Sequence, residues 1–128
     1  MTTTGKQIVN ASTVPGLPYS AGVIANGFCF VAGQFGTDAD DKPVGDVEEQ
    51  TGLAIDHLEA VLRAAGSDLS RVVRTTVYLC SYDDFPAMNR AYRERFGENP
   101  PARVSLRVAE LLFGARVEID AIAVVPEG

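Results

Sequence analysis

The fold is decided by Asn99-Pro100-Pro101-Ala102-Arg103-Val104-Ser105-Leu106-Arg107-Val108. Two successive prolines end whatever helix precedes them and force an extended entry. A period-2 strand follows, with Val104, Leu106 and Val108 on one face and Arg103, Ser105 and Arg107 on the other. A second strand completes it downstream at Val117–Ala123, Val-Glu-Ile-Asp-Ala-Ile-Ala, which carries Glu118 and Asp120 among apolar residues suited to a sheet. Arg103 is always charged and offers paired N–H groups that match a carboxylate. Glu118 can accept a proton from water.

Upstream of the prolines the spacing predicts a helix. Asp83 or Asp84 stands at its cap, Pro86 sits in its first turn, and Gly97 closes it. Its apolar face reads Phe85, Met88, Tyr92 and Phe96. Asn89 falls on that same face, where a side-chain amide needs a partner. Before it, Val72–Cys80 alternates as a strand. A longer helix is predicted from Asp46, with Glu49 completing a capping box and Gly66 at its end. Its stripe runs Val47, Thr51, Ala54, Ile55, Leu58, Val61, Leu62 and Ala65 at three-and-four spacing. Ala21–Ala25 and Phe28–Ala32 form a hairpin about Asn26-Gly27, followed by Gly33 at a strand end where something can approach the backbone closely. Lys6–Asn10 is a first short strand, and Val14–Ser20 is irregular because Pro15, Gly16 and Pro18 punctuate it. After Val108 come the connection Leu111-Leu112-Phe113-Gly114 and a last strand, Arg116–Val125.

The order is β-β-β-α-β-α-β-β. Two helices cannot cover both faces of six strands, so the expected class is α+β, a single mixed sheet with both helices packed on one face. Residues 1–128 read as a single domain. The sheet's other face is then partly apolar, and a symmetric oligomer is the simplest way to bury it.

Composition narrows the function. The net charge of −6 disfavours a nucleic-acid partner, and Arg90, Arg93 and Arg95 are interleaved with Glu94 and Glu98 as a solvated helix face. Cys29 and Cys80 sit in apolar runs and read as buried hydrophobes in a reducing compartment. One histidine and no pair of cysteines at ligand spacing argue against a metal site. His57, on the first helix, reads as a surface or interface residue rather than a base. No stretch approaches a membrane span, and Met1–Gln7 lacks the apolar core of a signal peptide, so a cytoplasmic location is expected.

Pro100-Pro101-Ala102-Arg103 together with Val117-Glu118-Ile119-Asp120-Ala121-Ile122-Ala123 resembles the C-terminal signature of the RidA (YjgF) family of enamine/imine deaminases. The resemblance extends over nearly the whole chain. It implies a chorismate-mutase-like fold, a homotrimer with clefts between neighbouring subunits, and hydrolysis without a cofactor. By the same resemblance, Arg103 anchors the carboxylate of a 2-imino or 2-enamino acid, and Glu118 positions the water that attacks the C=N carbon, with a backbone carbonyl near Ser105. Leu17-Pro18-Tyr19-Ser20 is similar to a segment that brings Tyr19 to the cleft. Phe85-Pro86-Ala87-Met88-Asn89 matches the start of the family's second helix and places Phe85 and Asn89 toward the substrate. Gly33-Gln34 matches a strand-end motif whose backbone lines the pocket.

Four positions depart from the pattern. Ala32 replaces a serine before Gly33, and Val104 replaces a small residue after Arg103. Leu112 lies in a connection that lacks its usual proline, and Leu17 stands where glycine is typical. These changes leave the carboxylate anchor and the water site in place and make the pocket more apolar. Asp120 occupies the position usually taken by a second glutamate. Two other functions are compatible with the same cleft: a sensor that only holds a small carboxylate, and a chaperone-like trimer acting through apolar surface. Ribonuclease activity, sometimes attached to this family, fits poorly with the acidic charge balance and the single histidine.

Overall fold

The computed structural model describes residues 4–9 and 17–127. Asn10 and Val14–Gly16, assigned above to a strand end and an irregular stretch, lie outside the described residues. Six strands form one sheet: β1 (Lys6–Val9), β2 (Gly22–Ala25), β3 (Phe28–Phe35), β4 (Val72–Leu79), β5 (Ala102–Arg107) and β6 (Val117–Val124). Helices α1 (Val47–Ala64) and α2 (Phe85–Phe96) complete the fold. The strand order is β1-β2-β3-β6-β4-β5. Only β4 and β5 pair parallel, because α2 crosses between them; every other pairing is antiparallel. The architecture is the α+β single mixed sheet expected.

Local signals act as anticipated at most boundaries. Asp46 Oδ1 accepts the Glu49 N–H at 2.9 Å while Glu49 Oε1 accepts the Asp46 N–H at 3.4 Å, closing the capping box. Asn26 and Gly27 both adopt positive φ, 50° and 80°, as a two-residue hairpin requires. The start of α2 differs. Ser81 Oγ accepts the Asp83 N–H in the one-turn 3-10 segment Tyr82–Asp84. Asp84 makes no cap hydrogen bond and instead forms a two-pronged ion pair with Arg116, just before β6. An arginine fork outcompetes a single backbone N–H for a buried carboxylate.

Both helices pack on one face. Ile55, Leu58 and Leu62 of α1 and Met88 of α2 meet Cys29, Val77, Leu79, Val117 and Ile119 of the sheet, all fully buried. Arg90 reaches Glu48, and Arg95 reaches Asp56 and Glu59, tying α2 across α1. Among the described residues no helix lies over the opposite face. Ile8, Val23, Phe30 and Ile122 align across four strands there, and Ile8, Phe28, Phe30 and Val104 are each about two-fifths exposed. Among the described residues no helix is long and apolar enough to cross a membrane.

Candidate functional site

On β6, Val117, Ile119, Ala121 and Ala123 point into the core. The strand's period of two therefore turns Glu118 and Asp120 to the helix-free face. Glu118 pairs in register with Phe35 of β3 and Tyr78 of β4. Beside it the β3–β6 register shifts between Val31 and Gln34, so β3 bulges and carries its strand three residues beyond the expected Ala32, through Gly33, Gln34 and Phe35. Gly33 leaves the room this carboxylate occupies. A Cβ at this position would lie 2.8 Å from Glu118 Cδ, so only glycine lets the carboxylate lie across the backbone.

Tyr19, Ala32, Gly33, Phe35, Glu110, Leu111, Leu112, Phe113, Gly114 and Glu118 surround an open cleft of about 770 Å³. Its outer wall is shaped by Phe113, a non-glycine residue at φ 66°, whose ring meets Phe35 edge-on at 5.4 Å between centroids. Burial first, and then the charge of Asp120, push the Glu118 carboxyl above its usual range. Asp120 itself is held: the Thr76 N–H donates to it at 3.1 Å and the Tyr78 hydroxyl at 2.9 Å.

Arg103 lies elsewhere. It pairs in register with Thr75 on the helix side of β4. Its Cζ stands 4.7 Å from the Tyr92 ring centroid and 5.5 Å from that of Phe85. Nη1 lies 3.9 Å from Met88 Sδ. Tyr92 is fixed in turn by a 2.6 Å hydrogen bond between its hydroxyl and Thr75 Oγ1. Among the described residues Arg103 has no carboxylate partner. Two residues along the same strand face, Ser105 Oγ is buried without a hydrogen-bond partner. Asn89 is half-buried on α2, one turn beyond Phe85.

The seven predicted site residues thus fall into two groups. Tyr19, Gly33 and Glu118 share the cleft on the open face. Arg103 and Phe85 are in contact at the α2–β5 edge, with Ser105 beside them on the strand and Asn89 on the same helix. Within one chain Arg103 does not stand beside Glu118. The two strands present alternate faces at these positions, and the shifted acidity of Glu118 has Asp120, not an arginine, as its charged neighbour.

Sequence reasoning missed Tyr92 and Thr75 as the support of Arg103, since both read only as core positions. It also missed Phe113 as a cleft wall; a bulky residue before glycine in a short connection is its only sequence trace. His57 Nδ1 is hydrogen-bonded to the Phe35 carbonyl at 2.9 Å and buttresses the strand end under the cleft. Among the described residues no group of three His, Cys, Asp or Glu side chains could hold a metal ion.

Fold and site together define a small α+β fold with an open, largely apolar cleft holding Glu118 on one face of its sheet and, among the described residues, an arginine without a carboxylate partner on the other. Residues 10–125 match the family model described as Endoribonuclease L-PSP. A RutC family protein of Pyrococcus abyssi is 43% identical over 108 residues, covering 83% of this chain and 85% of its own. The human 2-iminobutanoate/2-iminopropanoate deaminase is 35% identical over 123 residues, covering 93% and 90%. The crystal structure of Escherichia coli TdcF with bound serine superposes with a TM-score of 0.84 at 28% identity, covering 94% of this chain and 99% of that one. The chain belongs to the endoribonuclease L-PSP family, the family of the RidA (YjgF) proteins.

Proposed function

We propose that this protein hydrolyses reactive 2-imino and 2-enamino acids to 2-oxo acids and ammonia, in clefts that form between copies of the chain. One observation carries the reading. Among the described residues Arg103 presents a guanidinium fork without a carboxylate partner, Glu118 presents a partly desolvated carboxylate in a cleft lined by no cation, and the two stand on opposite faces of one sheet. Each half lacks what the other supplies. A cyclic homotrimer that buries the apolar open face would bring Arg103, Asn89 and Ser105 of one copy to the Glu118 cleft of the next.

In such a site the guanidinium holds the substrate carboxylate through two parallel hydrogen bonds. Glu118 takes a proton from water as the water oxygen bonds to the C=N carbon, and returns it to the nitrogen, whose lone pair now holds the former C=N π electrons. The carbinolamine hydroxyl proton then passes to that nitrogen, C=O forms as the C–N bond breaks, and ammonia and the 2-oxo acid are released. An enamine enters the same path after tautomerising to the imine. A carboxyl group with a raised pKa is the stronger base once ionised, which favours the first proton transfer. Positioning and charge are sufficient assistance for a reaction that already proceeds in water. The deaminase names of the mammalian relatives support the chemistry, and the structure of TdcF, which has this fold, holds bound serine, an amino acid.

The test is a coupled assay. An amino-acid oxidase generates the imine in the presence of semicarbazide, and semicarbazone formation is followed with and without the protein. Wild type is expected to suppress trapping and Arg103→Ala to leave it unchanged. If wild type has no effect on any imine while calorimetry shows a carboxylic acid bound, the cleft is a ligand-binding site and the deaminase reading is wrong.

A further inference from the structure

The cleft holds more apolar surface than the reaction uses. Arg103 of the neighbouring copy and Glu118 account for the carboxylate and the water, and what remains is the substrate's own side chain. Facing that space are Ala32, Phe35, Leu111, Leu112 and Phe113, and the charged residue beyond Glu118 is Glu110. Leu112 is 66% exposed and Phe113 46% exposed, so both carry apolar area that only an occupant or a neighbouring copy can remove from water. The floor is correspondingly small, with Ala32 beside Gly33. The Phe113 ring is held in place, because its backbone is fixed at positive φ and its edge rests on Phe35.

We propose that this wall selects 2-imino acids with large apolar side chains, branched aliphatic or aromatic, over the alanine-derived imine, and rejects those with acidic side chains. The proposal rests on the reading of the Arg103–Glu118 site given above and adds the part of the substrate that this site leaves undetermined. A large apolar group covers Leu112 and Phe113 and releases water from both surfaces. A methyl group reaches neither. A side-chain carboxylate would meet Glu110 and Glu118 with no cation in this half of the cleft, and like charges in a partly desolvated site repel strongly. Selection of this kind by a hydrophobic pocket is worth about tenfold or more per group accommodated.

The experiment compares leucine-, phenylalanine-, alanine-, lysine- and glutamate-derived imines in the trapping assay, with wild type, Leu112→Ser and Ala32→Ser. Calorimetric binding of the matching 2-oxo acids and sedimentation of each variant accompany it. The expected result is a kcat/KM for the leucine or phenylalanine imine about tenfold or more above that for alanine, with glutamate last. Leu112→Ser should erase most of that advantage, read as the ratio of leucine- to alanine-derived kcat/KM within the same variant, while leaving the sedimentation coefficient unchanged. Ala32→Ser, which adds only a hydroxyl to the floor, should reduce the preference for large apolar groups without touching assembly. Equal rates for alanine and leucine, or a preference for lysine, would overturn the proposal. So would a Leu112→Ser protein that loses its assembly, since that wall then covers a subunit contact. Absence of any hydrolysis together with tight binding of the branched 2-oxo acid would refute the deaminase reading and leave the side-chain selectivity standing.

Discussion

Arg103 and Glu118 are held by opposite physical means. Arg103 carries a permanent charge on the helix side of an edge strand, and what surrounds it is soft and neutral: two aromatic rings and a thioether sulfur. A cation against ring faces is stabilised with only one weak N–H contact, to the Met88 thioether, so most of the fork stays available to a ligand. Glu118 carries a titratable charge, and its surroundings make that charge expensive. It lies over Gly33, partly out of water, beside Asp120. One half is stabilised as it stands and the other carries a destabilised charge. On the proposed reading the two halves complete each other between copies.

Mixing tests this most severely. Arg103→Ala should lower kcat/KM by about 10³-fold, since leaving a bound carboxylate unpaired costs about 2–5 kcal/mol, and Glu118→Gln should be comparably inactive. If the halves meet between copies, co-refolding the two inactive variants in equal amounts should restore about a quarter of wild-type activity, the share of interfaces that combine both native residues in a cyclic assembly. No recovery in a mixture shown to exchange subunits would place the whole site within one chain.

Glu118→Gln should also separate function from stability. A carboxyl whose acidity is lowered by folding holds its proton more tightly in the folded state. Between the ordinary carboxylate range and the raised folded value, the unfolded chain therefore binds fewer protons, and stability falls as pH rises through that window. Removing the charge abolishes the penalty. Denaturant midpoints should show the variant more stable than wild type at neutrality and equal to it in acid, where the wild-type carboxyl is already protonated. Equal midpoints at both would mean that a neighbour's cation already compensates the charge in the assembled protein.

The support of Arg103 gives a smaller effect of a distinct kind. Tyr92→Leu removes the ring face and the hydrogen bond to Thr75, and a cation–π contact of about 0.5–2 kcal/mol corresponds to a rise in KM of roughly two- to thirtyfold with kcat little changed. Tyr92→Phe keeps the ring and should retain most of the affinity. A loss of kcat and KM together in both variants would mean that Tyr92 acts only through the core.

The comparison also marks what the chain discloses before folding. The elements were legible because their local chemistry agrees with their surroundings: Asp46 with Glu49, Asn26 with Gly27, and the two prolines before Arg103. Arg103, Asn89 and Glu118 were legible through family motifs, which preserve residue types but not the face each occupies in one chain. The pairing of Asp84 with Arg116 was not legible, because a cap and an ion pair draw on the same carboxylate and only the fold brings Arg116 within reach. Nor was the bulge at Gly33. A glycine at a strand end is compatible with many close approaches, and that the approaching group is Glu118 depends on the β3–β6 register.

The finest difference lies in the backbone of the cleft wall. Phe113 occupies a left-handed conformation that costs a non-glycine residue about 1–2 kcal/mol, and its ring is half exposed. Phe113→Gly relieves that strain and forfeits the contact with Phe35. The two terms are similar in size and opposite in sign, so thermal unfolding should move by no more than a few degrees. Activity should respond differently. With the ring gone the wall no longer contacts a large side chain, and discrimination between leucine- and alanine-derived imines should fall by several-fold. A large drop in stability would instead show that the Phe35–Phe113 contact, rather than substrate selection, is what keeps the strained residue in place.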